Sequence, residues 1–153
     1  MNIAFTLNGK PQELTISPNE KLTEALRRLG VYSVKTGCNE GACGSCVVNV
    51  NGRAVKSCLM YAAQVDGGCV ETVEFIGSLD NPHPIQSALV EEGAVQCGFC
   101  MGGLIMSAKA VFDKNPSPTD EELAIHLDGH LCRCTGYEKI QSALRKVSSG
   151  AAS

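Results

Sequence analysis

With 153 residues, 44% of them hydrophobic and 19% charged, the chain can bury the core of one ordinary domain or two small ones. Its net charge of −3 and its 13 scattered Lys and Arg argue against nucleic-acid binding, which rests on neutralising phosphates. No apolar run approaches the roughly 18 residues that span a bilayer, and Met1-Asn2-Ile3-Ala4-Phe5 carries no basic export signal, so no membrane insertion is expected and the cytoplasm is the expected compartment.

The elements follow in chain order. Ile3, Phe5 and Leu7 alternate, Asn8-Gly9 supplies a tight turn, and Leu14 and Ile16 resume the alternation, which predicts a hairpin. Leu22, Ala25, Leu26 and Leu29 recur at i, i+3, i+4, i+7 and predict a helix ended by Gly30. A second hairpin is predicted over residues 47–57 around Asn51-Gly52, and a further strand over residues 70–75. Strands around one helix make an α+β unit. Between residues 76 and 84 the texture changes to Gly, Ser, Asp, Asn and Pro. This divides the chain into residues 1–76, a linker at 77–84, and a helical remainder at 85–153.

In that remainder Ile85, Ala88 and Leu89 mark one helix, closed by Gly93. Leu104, Ile105, Ala108, Val111 and Phe112 mark a second, stopped by Asn115-Pro116-Ser117-Pro118. Thr119 and Glu122 form a capping box for a third, carrying Leu123 and Ile125. Thr135 and Glu138 form another for a fourth, with Ile140, Ala143, Leu144 and Val147 on its buried stripe, and residues 148–153 are expected to fray.

Eight of the nine cysteines form two sets of four. Cys38, Cys43, Cys46 and Cys58 read C-x4-C-x2-C-x11-C, the plant-type spacing of a [2Fe–2S] cluster. Structural zinc generally uses separated C-x2–4-C knuckles instead. Gly37, Gly41 and Gly44 let the loop wrap a two-iron core with its amides near the sulfurs. The second set, Cys97, Cys100, Cys132 and Cys134, is C-x2-C and C-x-C, and its spacing alone is open to zinc or a cluster. Cys97 and Cys100 are expected to open the second helix, and Cys132 and Cys134 to precede the fourth. Helix amino termini and Arg133 would then face a site of net negative charge. Two clusters at about −2 each bring the chain to about −7. Cys69 belongs to neither set, and His83, His126 and His130 lack ligand spacing. No nucleotide, flavin or serine-nucleophile pattern occurs, and no catalytic residue is assigned.

Residues 36–46, Gln96-Cys97-Gly98-Phe99-Cys100 and Leu131-Cys132-Arg133-Cys134-Thr135-Gly136-Tyr137 resemble the two-[2Fe–2S] small subunit of the molybdenum hydroxylases, the family of xanthine dehydrogenase, aldehyde oxidase and aerobic carbon monoxide dehydrogenase. The resemblance spans roughly residues 1–147. It implies a β-grasp, plant-type ferredoxin-like domain followed by a four-helix-bundle [2Fe–2S] domain. It also implies a large molybdopterin-binding partner, and an FAD-binding medium subunit or a cytochrome as acceptor. By motif position the first set would hold the cluster distal to molybdenum and the second set the proximal one. Gln96 would hydrogen-bond the molybdopterin, and Cys134 would touch the pterin edge.

Two positions depart from the family pattern: Met101-Gly102-Gly103 replaces Thr-Pro-Gly, and His130 stands where Asn is usual. The resemblance implies an N-heterocyclic, purine-like substrate or an aldehyde. Ser33-Val34-Lys35 and Ser57-Cys58-Leu59 lean toward the former. A free ferredoxin-like carrier and a zinc-stabilised interaction module are the competing readings.

Overall fold

The first alternation becomes β1 (Asn2–Leu7) and β2 (Lys10–Thr15), paired antiparallel from Asn2↔Thr15 to Leu7↔Lys10 in this computed structural model, which describes residues 1–150. Asn8 and Gly9 take φ of 51° and 75°, the left-handed pair that a two-residue hairpin needs. Asn51 and Gly52 repeat this between β3 (Val47–Val50) and β4 (Arg53–Lys56). Between the hairpins, α1 (Leu22–Arg28) buries Leu22, Ala25 and Leu26. It ends as the sequence predicts: Val31 N donates to Leu26 O at 3.1 Å and Gly30 N to Arg27 O at 3.0 Å, capping carbonyls otherwise left unpaired.

A 3-10 turn, Ala62–Val65, leads to β5 (Cys69–Glu71), which runs parallel to β1 and antiparallel to β3. The mixed sheet has the order β2-β1-β5-β3-β4. The strand expected over residues 70–75 is cut to three residues. Thr72 leaves the ladder because its N–H donates to Asn8 Oδ1 at 2.9 Å and its hydroxyl to the Glu74 carboxylate at 2.5 Å.

The second half is four helices: α2 (Pro84–Glu91), α3 (Met101–Phe112), α4 (Asp120–Leu127) and α5 (Glu138–Ser148). His83 caps α2, its Nδ1 accepting from Ile85 N at 3.2 Å. Thr119 and Glu122 form the expected box on α4, at 3.2 and 2.7 Å. Two expectations fail here. Ile125 points to solvent, because α4 buries Leu123 and Leu127 and a residue two positions from Leu123 falls off that face. The second capping box does not form, because the Thr135 hydroxyl donates to Cys132 Sγ at 3.0 Å and Tyr137 caps α5 instead. Of the tail expected to fray, Ser148 closes α5, and residues 151–153 lie outside the described residues.

One apolar core gathers Ile3, Phe5, Leu26, Val48 and Val70 between sheet and α1. Another gathers Ile85, Leu89, Leu104, Leu123, Ile140 and Leu144 among the helices, with Val73 and Ile76 packed against it. α3 is the joint between them, resting on β3 and β4 as well as on α2 and α4.

Candidate functional site

The first cysteine set hangs on the loop between α1 and β3. Cys46 directly precedes β3 and is buried, and Cys58, also buried, lies two residues beyond β4. The Ser57 hydroxyl bonds Cys46 O at 2.7 Å, and Ser57 Oγ meets Thr23 Oγ1 of α1 at 2.6 Å, tying this end to sheet and helix. Cys38 and Cys43 form the half-exposed end. Ala42 and Cys43 N–H groups reach Cys38 Sγ at 3.2 and 3.4 Å, and Cys43 Sγ lies 3.1 Å from Ser45 Oγ. Hydrogen bonds from the backbone at Glu40 and Cys43 hold the Cys38 thiol down to about 6, whereas burial and then Cys46 push Cys58 up to about 11. Lys56 Nζ donates to Gly41 O at 2.5 Å and braces the loop from β4.

The second set lies where three helices approach one another. Cys100 caps α3, and Cys97 sits in the loop before it rather than in the helix as expected. Cys132 and Cys134 occupy the turn between α4 and α5. Cys100 is buried, Cys132 half-buried, and Cys97 and Cys134 are exposed. Burial, reinforced by Cys132, pushes Cys100 up to about 12. At Cys132 burial opposes ionisation, but bonds from Thr135 and the Cys134 backbone bring the thiol below its usual range. Gln96 Nε2 donates to Cys134 O at 3.0 Å, so the amide links the two ligand loops rather than capping its own helix.

Within each set the thiols act on one another in pairs. Cys97 and Cys134 sulfurs are 3.5 Å apart, and Cys132 adds to the upward shift of Cys100. Cys43 likewise helps to lower Cys38, and Cys46 helps to raise Cys58. Among the described residues, no three His, Cys, Asp or Glu side chains converge as they do about a single ion. Two pairs per set match the donors of a two-iron, two-sulfide core, in which each iron takes two thiolates, better than one tetrahedral zinc. The first set's low-lying Cys38 and the second set's Cys132 are the thiols readiest to ligate as thiolates, and the buried ones release protons on metal binding.

Several participants act through contacts that the sequence does not show, two of them at the positions that depart from the family pattern. Gly102 and Gly103 let α3 lie against the first loop: a Cβ on Gly103 would overlap Gly44 O, and one on Gly102 would sit 2.9 Å from Ser33 O. Of the two, only Gly102 departs from Thr-Pro-Gly, Gly103 coinciding with that pattern's glycine. His130 is buried, with Nε2 2.6 Å from Ser107 Oγ of α3, and burial with nearby Lys56 lowers its pKa to about 4. Ser45, Lys56 and Ser107 carry no sequence pattern that marks them. Cys69 is an ordinary strand residue, its N–H donating to Asn51 Oδ1 at 2.9 Å.

Comparison with known proteins agrees with this geometry. Residues 5–70 match the 2Fe-2S iron-sulfur cluster binding domain family and residues 72–145 the [2Fe-2S] binding domain family. The small FeS subunit of nicotinate dehydrogenase from Eubacterium barkeri is 46% identical, over 95% of this chain and 93% of its own length. The chain belongs to the two-cluster iron–sulfur family of the molybdenum hydroxylases. Within that family, the crystal structure of quinoline 2-oxidoreductase from Pseudomonas putida 86 superposes with a TM-score of 0.92 at 38% identity, covering 99% of this chain and 95% of the matched chain. Aldehyde oxidoreductase from Desulfovibrio gigas superposes with a TM-score of 0.93 at 37% identity, covering 97% of this chain but 17% of its own. The same two-domain unit therefore stands alone in some family members and forms part of a longer polypeptide in others.

Proposed function

We propose that Cys38, Cys43, Cys46 and Cys58 hold one [2Fe–2S] cluster and Cys97, Cys100, Cys132 and Cys134 a second, in units bounded by the stretch 77–84. On this reading the chain is the electron-transfer subunit of a cytoplasmic, heteromeric molybdenum hydroxylase. It relays electrons from a molybdopterin site on a large partner subunit to FAD on a medium subunit or to a cytochrome. A bound cluster supplies one-electron redox chemistry, and the protein supplies the ligands, their order and the surfaces. The single observation that carries this is that each [2Fe–2S] binding domain match, over residues 5–70 and 72–145, spans one complete set of four cysteines.

The ends of the two sets support the direction of flow. Cys97, Cys134 and Gln96 are exposed, and the exposed apolar side chains Val95, Phe99 and Leu131 lie in the same two stretches of chain. This face suits the large subunit, with Gln96 Oε1 offered to the pterin while Nε2 keeps its bond to Cys134 O. The half-exposed Cys38 and Cys43, beside exposed Leu59, suit the acceptor. For substrate, the names of the relatives include nicotinate and quinoline as well as aldehydes. An N-heterocycle is the class we favour, chosen by residues of another polypeptide.

Iron, sulfide and zinc analysis with EPR tests the core of this reading. Four irons and four sulfides per chain with two distinct signals on reduction are expected; a single paramagnetic species at full loading, or zinc in place of iron, overturns it. Gln96→Ala should slow reduction of the second cluster by substrate about tenfold with cluster iron retained; an unchanged rate removes Gln96 from the pterin contact.

A further inference from the structure

The loop that carries Cys132 is anchored on the loop that carries Cys43. Leu131 N donates to Cys43 O at 3.0 Å. On either side of Leu131, one hydroxyl holds the backbone: Cys132 N donates to Tyr137 Oη at 2.8 Å, and Tyr137 Oη donates to His130 O at 3.1 Å. Tyr137 has φ of 70°, a left-handed conformation unfavourable for a large side chain, which persists only where surrounding contacts over-determine it. His130 fixes the other side. Its ring is buried against Gly44, where a Cβ would overlap both His130 Nδ1 and Gly129 O, and its Nε2 bonds Ser107 of α3. Gly44 is thus clasped between residues 129–130 and Gly103 of α3.

We propose that Tyr137 and His130, with Ser107 behind it, are positioning residues that fix the two cysteine loops relative to one another. They thereby control electron transfer between the clusters rather than cluster assembly. This rests on the two-cluster reading above. None of the three is a cysteine ligand in that reading, and each acts on backbone or helix rather than on sulfur. Tyr137 immobilises the strip 130–132, and His130 sets how that strip meets Gly44. Loss of either leaves eight thiols in place but frees one loop to shift against the other.

The experiment uses the full chain in its native complex, comparing parent, Tyr137→Phe, His130→Asn, Ser107→Ala and the His130→Asn/Ser107→Ala double variant. It reads three quantities: iron per chain, the magnetic splitting between the two reduced clusters, and the rate at which the first cluster follows the second. We expect four irons in every variant, an altered splitting, and an inter-cluster rate about tenfold lower in Tyr137→Phe. The double variant should be no worse than His130→Asn alone, because both changes remove one contact. Retained iron with unchanged splitting and rate overturns the proposal. So does loss of the second cluster's iron in Tyr137→Phe, which would make Tyr137 part of cluster assembly. If the parent itself lacks two cluster signals, the two-cluster reading fails instead.

Discussion

The two cysteine sets reach the same donor arrangement from opposite kinds of scaffold. In the first, three cysteines come from one irregular loop, held at its buried end by β3 and by Ser57, and Cys38 Sγ accepts from the loop's own Ala42 and Cys43 N–H groups. In the second, the cysteines come from a helix N-terminus and an inter-helix turn, and the outer pair is exposed, with Gln96 bonded to Cys134 O. The first set is therefore braced by its own loop and sheet, whereas the outer cysteines of the second, Cys97 and Cys134, are open to solvent. An exposed cluster edge leaks field and water, which shifts potential, so the second site should change most on assembly.

Removing a ligand gives the largest contrast. Cys43→Ala should abolish the first cluster's EPR signal while substrate still reduces molybdenum and the second cluster. Reduction of the terminal acceptor at the parent rate would show that the first cluster is not on the route to the acceptor and that the assigned order is wrong. Cys100→Ala should do more harm, since Cys100 is buried in the helical core and its loss leaves that domain without both metal and packing.

Backbone strain sharpens the comparison at a smaller scale. Gly44 in the first loop and Gly98 in the second both take positive φ, 71° and 80°. Around Gly44 an added Cβ overlaps Gly129 O and the His130 ring, whereas around Gly98 nothing lies within 4 Å. Gly44→Ala should cost about 3 kcal/mol, combining the left-handed penalty with overpacking. Gly98→Ala should cost about 1 kcal/mol, from the left-handed penalty alone. Denaturant unfolding of the loaded chain measures both, and equal costs would mean that the clasp on Gly44 yields freely.

What could be read in advance follows from range along the chain. Hairpins, helix stripes and the Thr119 cap are local, and Asn8-Gly9, Asn51-Gly52 and Leu22 to Leu29 declare them through turn chemistry and periodicity. The C-x4-C-x2-C, C-x2-C and C-x-C runs are also local, so the candidate cysteines stood out, whereas the two halves of the second set, separated by 31 residues, are joined only by the fold. Failures arose where a side chain took a partner that the local pattern does not announce, near or far along the chain. Thr72 abandoned its strand for Asn8, 64 residues away, and Thr135 abandoned its helix cap for Cys132. Ser107, Lys56 and Gly103 act only because α3 lies across the first loop, a tertiary contact with no one-dimensional signal.

The smallest expected effect lies where the sheet domain hands over to the helices. Glu74 accepts from Ser33 Oγ at 2.6 Å and from Thr72 Oγ1 at 2.5 Å, so one carboxylate ties the start of the first cysteine loop to the end of the sheet. Burial pushes the Glu74 pKa upward, but the bonds from Ser33 and Thr72 outweigh it, and the net shift is downward. A carboxyl whose folded pKa lies below its unfolded value stabilises the fold above that unfolded value, about 4.3 for Glu. The contribution then disappears as pH falls through the folded value. Because Glu74 is partly solvated, its worth should be under about 1 kcal/mol. Glu74→Gln should therefore lower stability slightly at pH 7 and flatten the acid side of the stability profile below about pH 4.3. Among the described residues no comparable carboxylate ties the Cys132–Cys134 turn to its scaffold, where Thr135 and Tyr137 hydroxyls do the holding. Changes there should leave the acid limb untouched. An acid limb of the same slope in parent and Glu74→Gln, measured by denaturant midpoint from pH 3 to pH 7, would show that Glu74 bears no differential proton affinity between the folded and unfolded chain.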